Sequence, residues 1–119
     1  ILMKISRLAE IIEAEFVCGE ELKDTEIKSA FGCDLMSDVL AYVKDGEGAL
    51  LTGLANPQVV RTVAMMDMRC IVFVRNKKPD DKTIELAQQN NIAVLQCKYN
   101  MFTACGMLYE SGLRGEESK

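Results

Sequence analysis

ALLTGLANPQVVRTVAMMDMRCIVFV, residues 49–74, carries the reading on which the fold rests. Ala49-Leu50-Leu51-Thr52 is a continuous apolar run stopped by Gly53, and Cys70 to Val74 is a second. Neither alternates with polar residues, and such runs suit strands buried on both faces of a sheet. Between them Asn56 precedes Pro57, a helix N-cap followed by proline at the first helical position. Val59, Val60, Val63, Ala64 and Met66 recur at helical spacing, which predicts a helix over 57–67.

The same cadence continues toward the C-terminus. Arg75 to Lys78 reads as a charged loop, and Pro79-Asp80-Asp81 opens a helix through Asn90 with Ile84 and Ala87 inward. Asn90-Asn91 stops it, Ile92 to Cys97 is the last strand, and Met101 to Leu113 the last helix, ended near Gly112. Strand and helix thus alternate three times, which predicts right-handed crossovers and helices on the sheet faces. The fold class expected is α/β: a single-domain three-layer sandwich with a mostly parallel sheet.

Toward the N-terminus the signals are shorter. Ser6 is placed to cap a helix from Arg7 to about Ala14, with Leu8, Ile11 and Ile12 inward. Phe16-Val17-Cys18 reads as a strand ending at Gly19, Glu20 to Asp24 as a loop, and Glu26 to Phe31 as one strand. Asp34 can cap a helix to Val43, and Asp45-Gly46-Glu47-Gly48 is a turn by composition. Residues 1–3 and 114–119 are expected to fray. Met3 can be the natural initiator, and the start lacks the long apolar region of a signal peptide.

Composition removes several classes of function. The chain has 119 residues, 49% of them apolar, enough for one core, and the longest apolar runs fall far short of a membrane span. Fourteen basic against eighteen acidic residues give a net charge of −4, which argues against nucleic acid and against an anionic membrane surface. There is no histidine, so histidine triads and imidazole bases are excluded. Cys18, Cys33, Cys70, Cys97 and Cys105 form no CxxC pair, so neither a metal site nor a disulfide framework is signalled, and no cofactor is expected. Free thiols predict a reducing, cytoplasmic compartment. Seven methionines, among them Met65, Met66, Met68, Met101 and Met107, suit an irregular core or an adaptable interface, and a domain this apolar predicts a homo-oligomer.

No phosphate-loop, dinucleotide or GxSxG motif occurs. Two loops remain as candidates. Gly32-Cys33-Asp34-Leu35-Met36-Ser37-Asp38 is a glycine-led entry into a helix, where free backbone N–H groups attract anions. Thr52-Gly53-Leu54-Ala55-Asn56-Pro57 follows a buried strand, the rim at which open α/β sheets bind ligands. Arg75 leaves the next strand at the same edge and can contact an anion, the plainer reading being a solvated loop. The candidate ligand-binding residues are therefore Gly32, Asp34, Ser37, Asp38, Thr52, Gly53, Asn56 and Arg75. The plainer reading of both loops is ordinary helix capping.

GCDLMSDVLAYV (32–43), LLTGLANPQVVRTVAMMDMRCIVFV (50–74), PDxxTIELA (79–87), IAVL (92–95) and a closing F…LYESGL (102–113) resemble, in pattern and order, the DRTGG-domain family. More broadly they resemble the N-terminal domains of HPr kinase/phosphorylase and of MurF-type ligases. The name-giving signature is absent: Asn56-Pro57-Gln58-Val59 stands where many members carry Asp-Arg, and Val74-Arg75-Asn76 where they carry Thr-Gly-Gly. A branch of small stand-alone members is closer to this pattern. The resemblance implies an accessory, regulatory module that helps build a dimer, as beside phosphotransacetylases and CBS-domain pyrophosphatases. It also implies that catalysis belongs to other domains. The function expected is a non-catalytic regulatory or interaction module, a homodimer that senses a nucleotide or phosphorylated small molecule and can meet a protein partner. The alternatives are a small enzyme using Cys33 with Asp34 or Asp38, and an assembly subunit without ligand.

Overall fold

The computed structural model describes residues 1–44 and 46–116; Asp45 of the expected turn and residues 117–119 of the expected tail lie outside them. The main sheet has five strands: β2 (Glu15–Cys18), β4 (Ser29–Gly32), β5 (Gly48–Thr52), β6 (Cys70–Phe73) and β7 (Ala93–Gln96). Their order is β2-β7-β6-β5-β4, with β4 to β7 parallel and β2 antiparallel on β7. A separate two-stranded ribbon joins β1 (Met3–Lys4) to β3 (Glu26–Ile27).

From β4 to β7 each crossover steps one strand in the same direction. With right-handed crossovers, all three connecting helices must share one face. They do: α2 (Met36–Tyr42), α3 (Pro57–Met65) and α4 (Asp81–Gln89) pack Val39, Val59, Val63 and Ala87 against Leu50, Ile71, Phe73 and Val94. On the other face α1 (Ile5–Ile11) and α5 (Met101–Glu110) pack Ile5, Leu8, Ala104 and Leu108 against Leu51, Val72, Val74 and Leu95. The unalternating runs are thus split residue by residue between two cores, which makes the sandwich three layers deep.

Three expectations need correction. The first helix starts at Ile5, and Ser6 does not cap it. Its leading N–H groups are already taken, Ile5 N–H by the Thr25 carbonyl at 3.0 Å and Ser6 N–H by that of Lys23 at 2.9 Å. The segment read as one strand over 26–31 is two, because Ile27 turns into the ribbon while Ser29 joins β5 in the main sheet. Asp34 does not cap α2, whose N-cap is Leu35 with no side-chain bond. At the ends, Met3 is buried and paired with Ile27, and Arg114 bridges Ser29.

Candidate functional site

Parallel strands end on one rim, so Gly32, Thr52 and Phe73 deliver their following loops side by side. Asp34 reaches across that rim. Its Oδ1 accepts from Thr52 Oγ1 at 3.0 Å and from Gly53 N–H at 2.7 Å. Gly53 lies just beyond β5, so the carboxylate satisfies a donor that the ladder leaves over. Thr52 is fully buried, and its Oγ1 also accepts from Leu54 N–H at 3.2 Å. The two loops singled out from the sequence are therefore stitched together through one carboxylate.

Arg75 completes the group. Its guanidinium lies against Gly53, where any Cβ would collide with it. Arg75 and Asn76 both adopt left-handed backbone, φ 59° and 55°. For arginine that conformation costs about 1–2 kcal/mol. It is held by Arg75 N–H on the Tyr99 carbonyl and Asn76 N–H on the Cys97 carbonyl, each 2.8 Å, and by Gln96 Nε2 donating to the Asn76 carbonyl at 3.1 Å. No carboxylate among the described residues forms an ion pair with Arg75.

Gly32, Asp34, Thr52, Gly53 and Arg75 are thus gathered at the ends of three adjacent strands. The other candidates have separate placements. Asn56 Oδ1 accepts from Val59 N–H at 3.2 Å as an ordinary cap of α3. Ser37 is exposed in the first turn of α2, and Asp38 is half-buried with its N–H on the Leu35 carbonyl. Cys33 Sγ is occupied with the Leu35 backbone at 3.3 Å, donating to the carbonyl and accepting from the N–H. Cys18, Cys70 and Cys97 are buried, and burial pushes the Cys70 thiol up to about 12. Among the described residues no three Cys, Asp or Glu converge on a metal position.

Sequence reasoning missed a second cluster on the same rim. Tyr99 OH donates to Glu13 Oε2 at 2.6 Å, and Lys98 Nζ lies 3.3 Å from Glu13 Oε1. The Tyr99 hydroxyl and then Lys98 hold the Glu13 carboxyl below its ordinary value of 4.5. Partners 86 residues apart leave no local signal. A carboxyl lowered in the folded state adds stability above the ordinary carboxylate range, and that share is lost as pH falls through its folded value. Glu13→Gln is therefore expected to flatten the acid limb of the stability profile below about pH 4.5, read by thermal melts from pH 3 to 7.

Two concavities lie instead at the opposite rim. One, of about 450 Å³, is lined by Leu22, Asp67, Arg69 and Asn91 among others; the second, of about 360 Å³, shares Asp67 and Arg69. The C-terminal ends of α3 and α4 point there, and helix C-termini disfavour anions. On volume these grooves hold more, but the strand-end rim has the better chemistry for an anion.

The model of the DRTGG domain family matches residues 7–111. The chain belongs to the DRTGG domain family. No curated protein matches the chain. A solved structure has the same fold: the CBS and DRTGG domains of the regulatory region of Clostridium perfringens pyrophosphatase, complexed with its activator, diadenosine tetraphosphate. The TM-score is 0.71 at 19% identity, over 87% of this chain. This DRTGG domain spans 45% of the length of that chain. No catalytic domain is identified beside it, and no helix among the described residues is long and apolar enough to cross a membrane.

Proposed function

We propose that this DRTGG domain is a non-catalytic regulatory module that works as a homodimer and holds a nucleotide or phosphorylated small molecule at the rim of Asp34, Thr52, Gly53 and Arg75. The observation that carries the reading is Arg75. Its guanidinium sits at the carboxyl ends of parallel strands, on a backbone turn that is strained and well bonded, and no carboxylate among the described residues is paired to it. A planar guanidinium suits bidentate phosphate contact. Asp34 ties the neighbouring loop and, by taking the Gly53 N–H, keeps the floor beneath the guanidinium flat. The regulatory region of the clostridial pyrophosphatase, complexed with a polyphosphate-linked dinucleotide, supports the same ligand class. Buried thiols suit a reducing, cytoplasmic setting, and a protein partner would receive the signal.

The test is calorimetric titration with ATP, ADP, diadenosine tetraphosphate and inorganic pyrophosphate. Arg75→Gln is expected to weaken binding at least tenfold, on the order of one charge-assisted hydrogen-bond pair, while the melting temperature stays put because the side chain is exposed. A wild-type protein that binds none of the four would end the ligand reading and leave an assembly module.

A further inference from the structure

The two edges of the main sheet differ in kind. Beside β2 the chain runs through Glu20, Glu21, Lys23 and Asp24, all exposed, and charge of this sort blunts an edge against pairing. The β4 edge is different. Cys33 N–H bonds the Leu51 carbonyl, so Phe31 and Cys33 turn toward β5 while Ala30 and Gly32 turn outward. Ala30 N–H is covered by the Arg114 carbonyl at 3.1 Å, and Glu116 secures the strap by accepting from Lys44 N–H at 2.9 Å. The strap stops short of Gly32, which is exposed and whose outward N–H and C=O meet no partner among the described residues.

Large exposed apolar side chains flank this edge. On the α5 side, Tyr109 borders a groove with Gly32, Cys105 and Leu108, and Phe102 lies seven residues before it on the same helical face. On the α2 side, Tyr42 borders a groove with Phe31. Phe102 is 89% exposed, Tyr42 64% and Tyr109 55%. An aromatic side chain carries about 150–250 Å², so these three offer roughly 400 Å² per protomer, about half of the roughly 800 Å² that a standard interface takes from each partner.

We infer that the β4 edge, with Tyr42 on one flank and Phe102 and Tyr109 on the other, is where a second copy of this chain docks. The inference rests on the dimeric reading above and names its surface. A second copy is the occupant because the edge is self-complementary. A two-fold axis at Gly32 sets the strands antiparallel, so each Gly32 N–H donates to the other's carbonyl, and each flank meets its symmetry mate. The dimer leaves the Arg75 rim at the end of the same sheet, adjacent to the interface, so a ligand there would act on the dimer only as far as it prefers one arrangement.

The experiment is sedimentation velocity over a hundredfold concentration range on the full chain, for wild type, Phe102→Glu, Tyr42→Glu and Met65→Glu. Met65 is 72% exposed on α3, away from the edge, and serves as control. The expected result is a wild-type and Met65→Glu dimer, with dissociation constants raised at least tenfold by Phe102→Glu and by Tyr42→Glu. All three positions are exposed, and circular dichroism confirms the native fold of each variant. A monomeric wild type overturns both the surface and the dimeric reading. A dimer indifferent to Phe102→Glu and Tyr42→Glu overturns the surface alone. Concentration-dependent protection of the Gly32 amide in hydrogen exchange is expected, and a freely exchanging Gly32 in a proven dimer overturns the strand pairing.

Discussion

Alanine at Gly19 is expected to remove about 3–5 kcal/mol of stability, combining backbone strain with overpacking, each about 1–3 kcal/mol. Gly19 has φ 80° and ψ 23°, a left-handed conformation that β-carbons disfavour. Its position is also closed sterically: an added Cβ would lie 2.6 Å from Ala93 Cα and 3.0 Å from the Ile92 carbonyl oxygen. Both obstacles are backbone, and that backbone belongs to β7, next to the centre of the sheet. The chain must therefore lift β2 away from β7, opening the seam that buries Cys18 and Ile92. Urea titration measures the loss, and a change under 1 kcal/mol would mean that the Gly19 turn is not as tight as described. Gly106, in the middle of α5, provides the contrast, because a Cβ there meets nothing within 4 Å. At dilute protein, Gly106→Ala is expected to stabilise by about 0.5–1 kcal/mol.

The difference between these two glycines shows what the sequence made legible. Gly19 reads locally as a strand stop, and nothing near it reveals that β7, more than seventy residues on, lies against it. The same divide runs through the fold. β5, α3, β6, α4 and β7 were readable because each is a continuous apolar run or a stripe with a helix-start signal before it; Asn56 caps as expected, and Asp80 caps the helix that Pro79-Asp80-Asp81 opens. The ribbon of Met3 with Ile27 was not, since two-residue strands carry no periodicity. The break between β3 and β4 was hidden because Glu26, Lys28 and Ser29 around Ile27 look like the polar positions of one alternating strand.

At the candidate site, residue types were legible and partners were not. Asp34 before an apolar stripe has the signature of an N-cap, and only the parallel register of β4 on β5 shows that Thr52 and Gly53 stand nearer to its carboxylate. Arg75 was named for its place after a strand. Its left-handed backbone is bonded to the carbonyls of Tyr99 and Cys97 more than twenty residues on, and the Tyr99 hydroxyl in turn donates to Glu13. Such distant contacts fix the backbone that carries an exposed charge, and they leave no signal in the local sequence.

Phe73→Ala is expected to be the other most damaging change, costing about 3–5 kcal/mol for a buried phenylalanine lost from a packed core. Phe73 is fully buried at the end of the central strand β6, paired with Thr52 on one side and Gln96 on the other. Its ring fills the core beneath α3 and α4. A domain of this size has on the order of 5–15 kcal/mol in total, so the variant would sit near the folding threshold. Phe73→Leu keeps an apolar side chain of nearer volume and is expected to cost about 1–1.5 kcal/mol, leaving a folded protein. The pair separates fold from site. Phe73 is two residues before Arg75 and opposite Thr52, so a slackened core at this point loosens the floor under the guanidinium. In Phe73→Leu, the proposed nucleotide binding is therefore expected to weaken while the cooperative urea transition survives. If the leucine variant bound as tightly as wild type, the Arg75 turn would be held by its bonds to Tyr99, Cys97 and Gln96, and packing beneath it would have no share in the site.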